Sequence, residues 1–144
     1  MSPALRKGDR ALVSVIYYDS AEPKRGDLVL IEENRNGKTT LDIKRIIAVG
    51  GDLVEITPKQ VVVNGKALQE PYLDRSQDET VPVIAKRKFG PEQIANNSYF
   101  VLGDHREKSY DSLYFGPVDR SKIKGRAMTV IRDGGHWYQQ EPLK

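Results

Sequence analysis

The chain has no cysteine, which removes disulfides, thiolate nucleophiles and cysteine-ligated metals and leaves its redox compartment open. It has two histidines, His105 and His136, too few and too far apart in sequence for a histidine-rich metal site. Any histidine-based triad would have to use one of this pair, so neither a metal nor another cofactor is expected. No apolar run approaches the ~20 residues that cross a bilayer, and the chain as written is expected to be soluble. No stretch repeats its apolar residues with a helical 3.6 period over helix length, and neither an internal repeat nor a low-complexity segment occurs. Lysine and arginine outnumber aspartate and glutamate only by 23 to 20 and are scattered, so there is no basic patch with which to bind nucleic acid.

What remains is ordinary globular material: 144 residues, 38% hydrophobic and 30% charged. That length suits a single domain over residues 1–144, able to bury roughly two-thirds of its unfolded surface around one core. Many short β-rich runs without helices predict a mostly β fold, antiparallel and barrel-like or two-sheet. Core strands are expected over about 10–66 and 98–131, with a loop-rich β insertion over about 67–97 marked by Pro71, Pro82 and Pro91.

The N-terminus carries no signal-peptide pattern and enters the turn Lys7-Gly8-Asp9 at once, as expected of a domain whose preceding segment has been cut away. Ala11 to Tyr18 reads as a strand, and Leu28-Val29-Leu30-Ile31 as a buried one. Asn36-Gly37 and Asn64-Gly65 are hairpin signals, because Asn and Gly tolerate positive φ. Gly90-Pro91 could open a helical turn, with proline at its first position. Tyr99 to Leu102 returns to core strand, Ser121 to Gly125 reads as a turn, and Ala127 to Ile131 as the last strand. Asp133-Gly134-Gly135-His136-Trp137 reads as a turn and tail.

Within Leu41-Asp42-Ile43-Lys44-Arg45-Ile46-Ile47-Ala48-Val49-Gly50-Gly51-Asp52, a lysine sits inside an apolar, β-branched run. Strand alternation places Leu41, Ile43, Ile47 and Val49 on one face and Asp42, Lys44 and Ile46 on the other. Apolar cover over the second face would disfavour the ammonium form of Lys44 and leave a free amine able to act as a general base. Taken alone, the stretch better suits a lysine that keeps its charge in water or pairs with Asp42. A second polar loop, Gly103 to Ser112, is launched directly from an apolar strand, as a scaffold presents catalytic groups; it also suits a solvated turn.

Lys44-Arg45-Ile46-Ile47 with Gly51-Asp52, Val63-Asn64-Gly65-Lys66, Gly103-Asp104-His105-Arg106-Glu107-Lys108-Ser109-Tyr110-Asp111-Ser112 and Gly116-Pro117-Val118 together resemble the boxes of type I signal peptidases. Met1 to Asp9 and Arg25 to Val29 extend the likeness, in order, over nearly the whole chain. The resemblance implies a membrane-anchored serine endopeptidase that removes N-terminal signal peptides from exported preproteins with a Ser/Lys dyad. It implies Lys44 as general base, Ser109 hydrogen-bonding and orienting its amine, and Asp111 holding the loop with Arg45 as charge partner. Asp104 belongs to the same supporting loop. Substrate would lie as an added strand against shallow pockets near Met1 and Pro3.

The family's nucleophilic serine stands directly before the Met-x-Pro run, and here that methionine is Met1. No nucleophile therefore falls within the chain, which is expected to be inactive as written; Ser2 holds the variable position of the motif. Further departures are Ala4 for threonine, Gly50 for proline, His105-Arg106-Glu107-Lys108 for Asn-Arg-Asp-Asn, and Leu113 for arginine. The resemblance places the full protein on the trans side of a cytoplasmic or thylakoid membrane, through an anchor absent from these residues. The alternative is a non-catalytic peptide-binding relative on the same scaffold.

Overall fold

The computed structural model describes residues 1, 4–57, 59–73, 87–134 and 137–142. Among these described residues, eleven strands form two antiparallel sheets, neither closed into a barrel. The larger holds β1 (Arg10–Ser14), β2 (Leu28–Arg35), β3 (Lys38–Val49), β8 (Ser98–Leu102), β9 (Val118–Asp119), β10 (Ile123–Gly134) and β11 (Trp137–Pro142). Its order is β1-β10-β2-β3-β8-β9, with β11 also on β10. The smaller runs β6 (Lys66–Ala67), β5 (Val61–Val63), β4 (Leu53–Ile56), β7 (Phe89–Gln93). β4 and β5, expected among the core strands, thus join β6, at the expected boundary, and β7 of the insertion; residues 74–86 of that insertion lie outside the described residues.

Both Asn-Gly hairpins form: Asn36 and Gly37 have φ of 53° and 77°, and Asn64 and Gly65 have 53° and 76°, the paired positive values that match strand twist. β8 explains its continuous apolar run by burial on both faces. Phe100 and Leu102 join Ile47, Ala48, Val54, Ile56 and Ile94 between the sheets. Tyr99 and Val101 join Val29, Ile31, Ile46 and Tyr18 on the opposite side.

The alternation expected along β3 breaks at a bulge. Ile46 pairs with Val101 and Ala48 with Phe100, so Ile47 is an extra residue, and Ile47 and Ala48 face the same cluster while Val49 packs on the other. Other elements also shift. β1 ends at Ser14, and Tyr17–Asp19 is a 3₁₀ turn that tucks Tyr18 into the core, its hydroxyl donating to Asp27 Oδ2 at 2.9 Å. The turn expected over Ser121 to Gly125 is a 3₁₀ turn at Arg120–Lys122, and Ile123 to Gly125 already belong to β10. The C-terminal tail forms β11, paired with β10 from Thr129 to Gly134; His136 lies outside the described residues.

Gly90-Pro91 starts no helical turn but lies in β7, joined by a cis peptide. Gly90 has φ of +73°, and a Cβ there would collide with the carbonyl oxygen of Val54. The obstacle is backbone and cannot rotate away. Gly90→Ala is therefore expected to lower the urea midpoint by the equivalent of about 2 kcal/mol or more, with an unchanged m-value.

Asp52 fastens the turn at Gly50-Gly51. It accepts from Val49 N–H at 2.9 Å, Arg25 Nη2 at 2.8 Å and Asn64 Nδ2 at 2.7 Å. Burial pushes its carboxyl up, but these three donors outweigh it and hold the pKa below the ordinary 3.8. A depressed carboxylate stabilises the fold fully above its unfolded value and loses that contribution as pH falls below it. Asp52→Asn is thus expected to cost about 1–2 kcal/mol at pH 7, and the gap from wild type should close as both are titrated below pH ~3.8.

Candidate active site

The site is assembled on one face of the β2–β3 hairpin. Val29 pairs with Lys44, Ile31 with Asp42 and Glu33 with Thr40, so period-two alternation carries the apolar face of Val29, Ile31 and Ile46 directly into Glu33, Arg35, Asp42 and Lys44. Lys44 is 8% exposed, and its Nζ lies 3.8 Å from Asp42 Oδ2. Asp42 Oδ2 also accepts from Arg35 Nη2 at 3.1 Å.

Met1 lies beside this face. Its Sδ accepts the Asp104 N–H at 3.4 Å. Burial first, then the charge of Lys44, pulls its α-amine below the ordinary value, against the opposing pull of Asp104 and Asp42. Ser2 and Pro3, the other candidates at this end, lie outside the described residues.

The loop after β8 covers the same face. Asp111 Oδ2 accepts from Gly103 N–H at 3.0 Å, and its Oδ1 accepts from Leu113 N–H at 3.2 Å, capping a single helical turn, α1 (Ser112–Phe115). Ser112 Oγ accepts from Val101 N–H at 2.9 Å. The Tyr110 ring lies 4.4 Å from the guanidinium of Arg35, pinning the loop over β2.

Ser109 does not make the hydrogen bond to Lys44 that the resemblance implied. Its Oγ is buried without a partner among the described residues, packed where a Cβ on Gly103 would stand, so only glycine at 103 leaves room for it. Lys44 and Ser109 are thus not bonded to each other.

The pairing expected between Arg45 and Asp111 is also different. Arg45, 1% exposed, donates from Nε and Nη2 to the two oxygens of Asp104 at 2.9 and 2.8 Å, and from Nη1 to Gly26 O at 3.0 Å. The planar fork matches Asp104, while both oxygens of Asp111 are already engaged by backbone N–H groups.

Sequence reading missed the outer layer of this network. Tyr72 lies under the Arg45 guanidinium at 3.8 Å and donates its hydroxyl to Glu70 Oε1 at 2.8 Å. Glu70 in turn takes Arg106 of the late loop in a two-point pair, both side chains buried. Burial, then the Glu70 charge, pushes the Tyr72 hydroxyl well above its ordinary pKa. No local pattern joins Glu70 to Arg106, because they meet only when the insertion folds back. Glu33 was missed too, although counting by two from Val29 would have placed it on the Lys44 face. His105 is exposed, and no group of metal-binding side chains occurs among the described residues.

Comparison with known proteins agrees with the sequence resemblance. The family described as signal peptidase, peptidase S26, matches residues 1–132. A signal peptidase I of Leptolyngbya laminosa is 34% identical over 134 residues, covering 89% of this chain and 62% of that protein. One from Bacillus licheniformis is 35% identical over 134 residues, covering 91% of this chain and 71% of that protein. The chain thus spans somewhat under two-thirds of the first relative's length and somewhat over two-thirds of the second's. The crystal structure of a signal peptidase I from Enterococcus faecalis V583 superposes with a TM-score of 0.63 at 29% identity, covering 75% of this chain and 98% of that one.

Proposed function

Because the chain belongs to the signal peptidase, peptidase S26, family, we propose that it is the catalytic portion of a serine endopeptidase that removes signal peptides from exported proteins. The observation that carries this reading is the position of Lys44, shielded from water on a sheet face, with Met1 and the Gly103 to Ser112 loop beside it. In the family's motif the nucleophilic serine stands directly before Met1, which brings its hydroxyl toward Lys44. The amine accepts the hydroxyl proton as Oγ attacks the scissile carbonyl carbon, and gives it to the departing amine. Backbone N–H groups near this end stabilise the tetrahedral oxyanion, and water then hydrolyses the acyl ester.

Arg45 and Asp104 hold the loop, and Asp111 caps its helical turn. The substrate lies as an extended strand. β3 pairs with β8 only from Arg45 onward, so the edge of β3 before Lys44 is open to strand addition among the described residues. Small side chains of the substrate are expected to lie near Met1. No helix among the described residues is long and apolar enough to cross a membrane. Attachment of the full protein to a membrane, with the active site on its trans side, is part of this reading.

Residues 1–144 supply the base, and the nucleophile belongs to the position ahead of Met1; by themselves they are expected to bind without cleaving. The test is to place one serine directly before Met1 and assay a signal-peptide substrate. Cleavage at the signal-peptide boundary supports the peptidase. Saturable binding without turnover points instead to a non-catalytic peptide-binding relative.

A further inference from the structure

The hairpin face that carries Lys44 holds a second ionisable group for which the proposed reaction has so far had no use. Glu33 is 7% exposed, and neither of its carboxyl oxygens has a hydrogen-bond partner among the described residues. Its closest cation is Arg35, with Nη2 3.8 Å from Oε2, beyond hydrogen-bond reach and already bonded to Asp42. Thr40, directly across the ladder, also keeps a buried hydroxyl without a partner. A buried carboxylate left without donors is costly, and the usual relief is to hold a proton. Burial accordingly pushes the Glu33 carboxyl above its ordinary value, and the charge of Lys44 is the largest influence pulling it back.

The groups facing Glu33 are Arg35 on its own strand, Asp42 and Lys44 on β3, and Asp111 from the loop above. Glu33 is the one carboxyl among them with no hydrogen bond. Arg35 and Asp42 hold each other, and Asp111 is taken up by Gly103 and Leu113. Asp42 lies in turn 3.8 Å from Lys44 Nζ, so Glu33, Arg35, Asp42 and Lys44 follow one another along this face of the hairpin.

We infer that Glu33 is a positioning residue for the base: its charge state sets the acid limit of catalysis by Lys44. This rests on the reading of Lys44 as general base. A negative Glu33 favours the ammonium form of Lys44, and a neutral side chain there does not. Protons leave such a pair in two coupled steps that belong to both residues. The coupling is reciprocal, so it can be read at either end.

The first readout needs no turnover. In the chain labelled with carboxyl ¹³C-glutamate, the Glu33 resonance is followed through a pH titration in wild type, Lys44→Met and Lys44→Arg. The Glu33 midpoint is expected to rise by about one unit in Lys44→Met and to stay near wild type in Lys44→Arg, which keeps the charge. An unmoved midpoint in Lys44→Met would overturn the inference. Should Lys44→Met fail to fold, Glu33→Gln in the chain bearing a serine ahead of Met1 decides. The acid limb of its kcat/KM profile is expected to move to lower pH, with cleavage on that limb several-fold faster, while Glu33→Asp keeps the wild-type profile. Superposable profiles for wild type and Glu33→Gln would overturn it. Absence of cleavage in every variant would count against the peptidase reading, and the Glu33 midpoint in Lys44→Gln, a neutral and polar replacement, then judges the coupling, an unmoved midpoint overturning it.

Discussion

Arg45→Ala is expected to lower folding stability by about 3–5 kcal/mol, which for a chain of this size shifts the thermal midpoint down by roughly 10 °C or more. The reason lies in what is left behind. The Asp104 side chain is fully buried, and Arg45 supplies donors to both of its oxygens. Removing the guanidinium strands a buried charge, takes a donor from Gly26 O and leaves the Tyr72 ring without the cation above it. Arg45→Lys is expected to recover little, since one ammonium cannot meet two carboxylate oxygens and a carbonyl together. The double change Arg45→Met with Asp104→Leu should recover most of the loss, because it removes both desolvated charges at once. Urea unfolding followed by circular dichroism measures all three; a loss under about 1 kcal/mol for Arg45→Ala would mean that the pair behaves as a surface bridge.

Lys44→Ala should have the opposite profile. Among the described residues Lys44 makes one ion contact, at 3.8 Å to the partly exposed Asp42, so its removal is expected to change stability by no more than about 1 kcal/mol. Cleavage by the chain bearing a serine ahead of Met1 should nevertheless fall by roughly 10²–10⁴, the scale of a lost general base. Lys44→Arg should fall as far, because a guanidinium does not release its proton in this pH range. Arg45 and Lys44 are neighbours in sequence with opposite duties: one holds the loop in place and the other works on the proton. Measuring stability and turnover on the same preparations separates them.

Much of this arrangement was legible in the sequence. The strand character of the Lys44 run, both Asn-Gly hairpins and the loop launched from Tyr99 to Leu102 follow from local alternation and turn chemistry, which act within a few residues. The β3 bulge was not legible, because an extra residue at Ile47 is set by packing against β8 and leaves no mark in a run of Ile, Ile, Ala and Val. Gly90-Pro91 misled for a related reason. Proline suits a helix start locally, but pairing with Leu53, Val54 and Ile56 makes this segment a strand. At the site, the residue types were recognisable and the partners were not. Whether Asp104 or Asp111 takes Arg45 depends on the path of the loop, and Asp111 is claimed by backbone N–H groups that no sequence pattern displays. The Glu70–Arg106 pair depends on the insertion folding back over the loop.

The most direct test of the central claim is to trap the acyl intermediate. The chain bearing a serine directly before Met1 is mixed with a signal-peptide ester substrate, quenched in acid within a turnover and mapped by mass spectrometry. The expected result is an acyl adduct on that added serine, present with Lys44 and lost in Lys44→Ala. An adduct that forms equally without Lys44, or that maps to Ser109 or Ser2, would contradict the account.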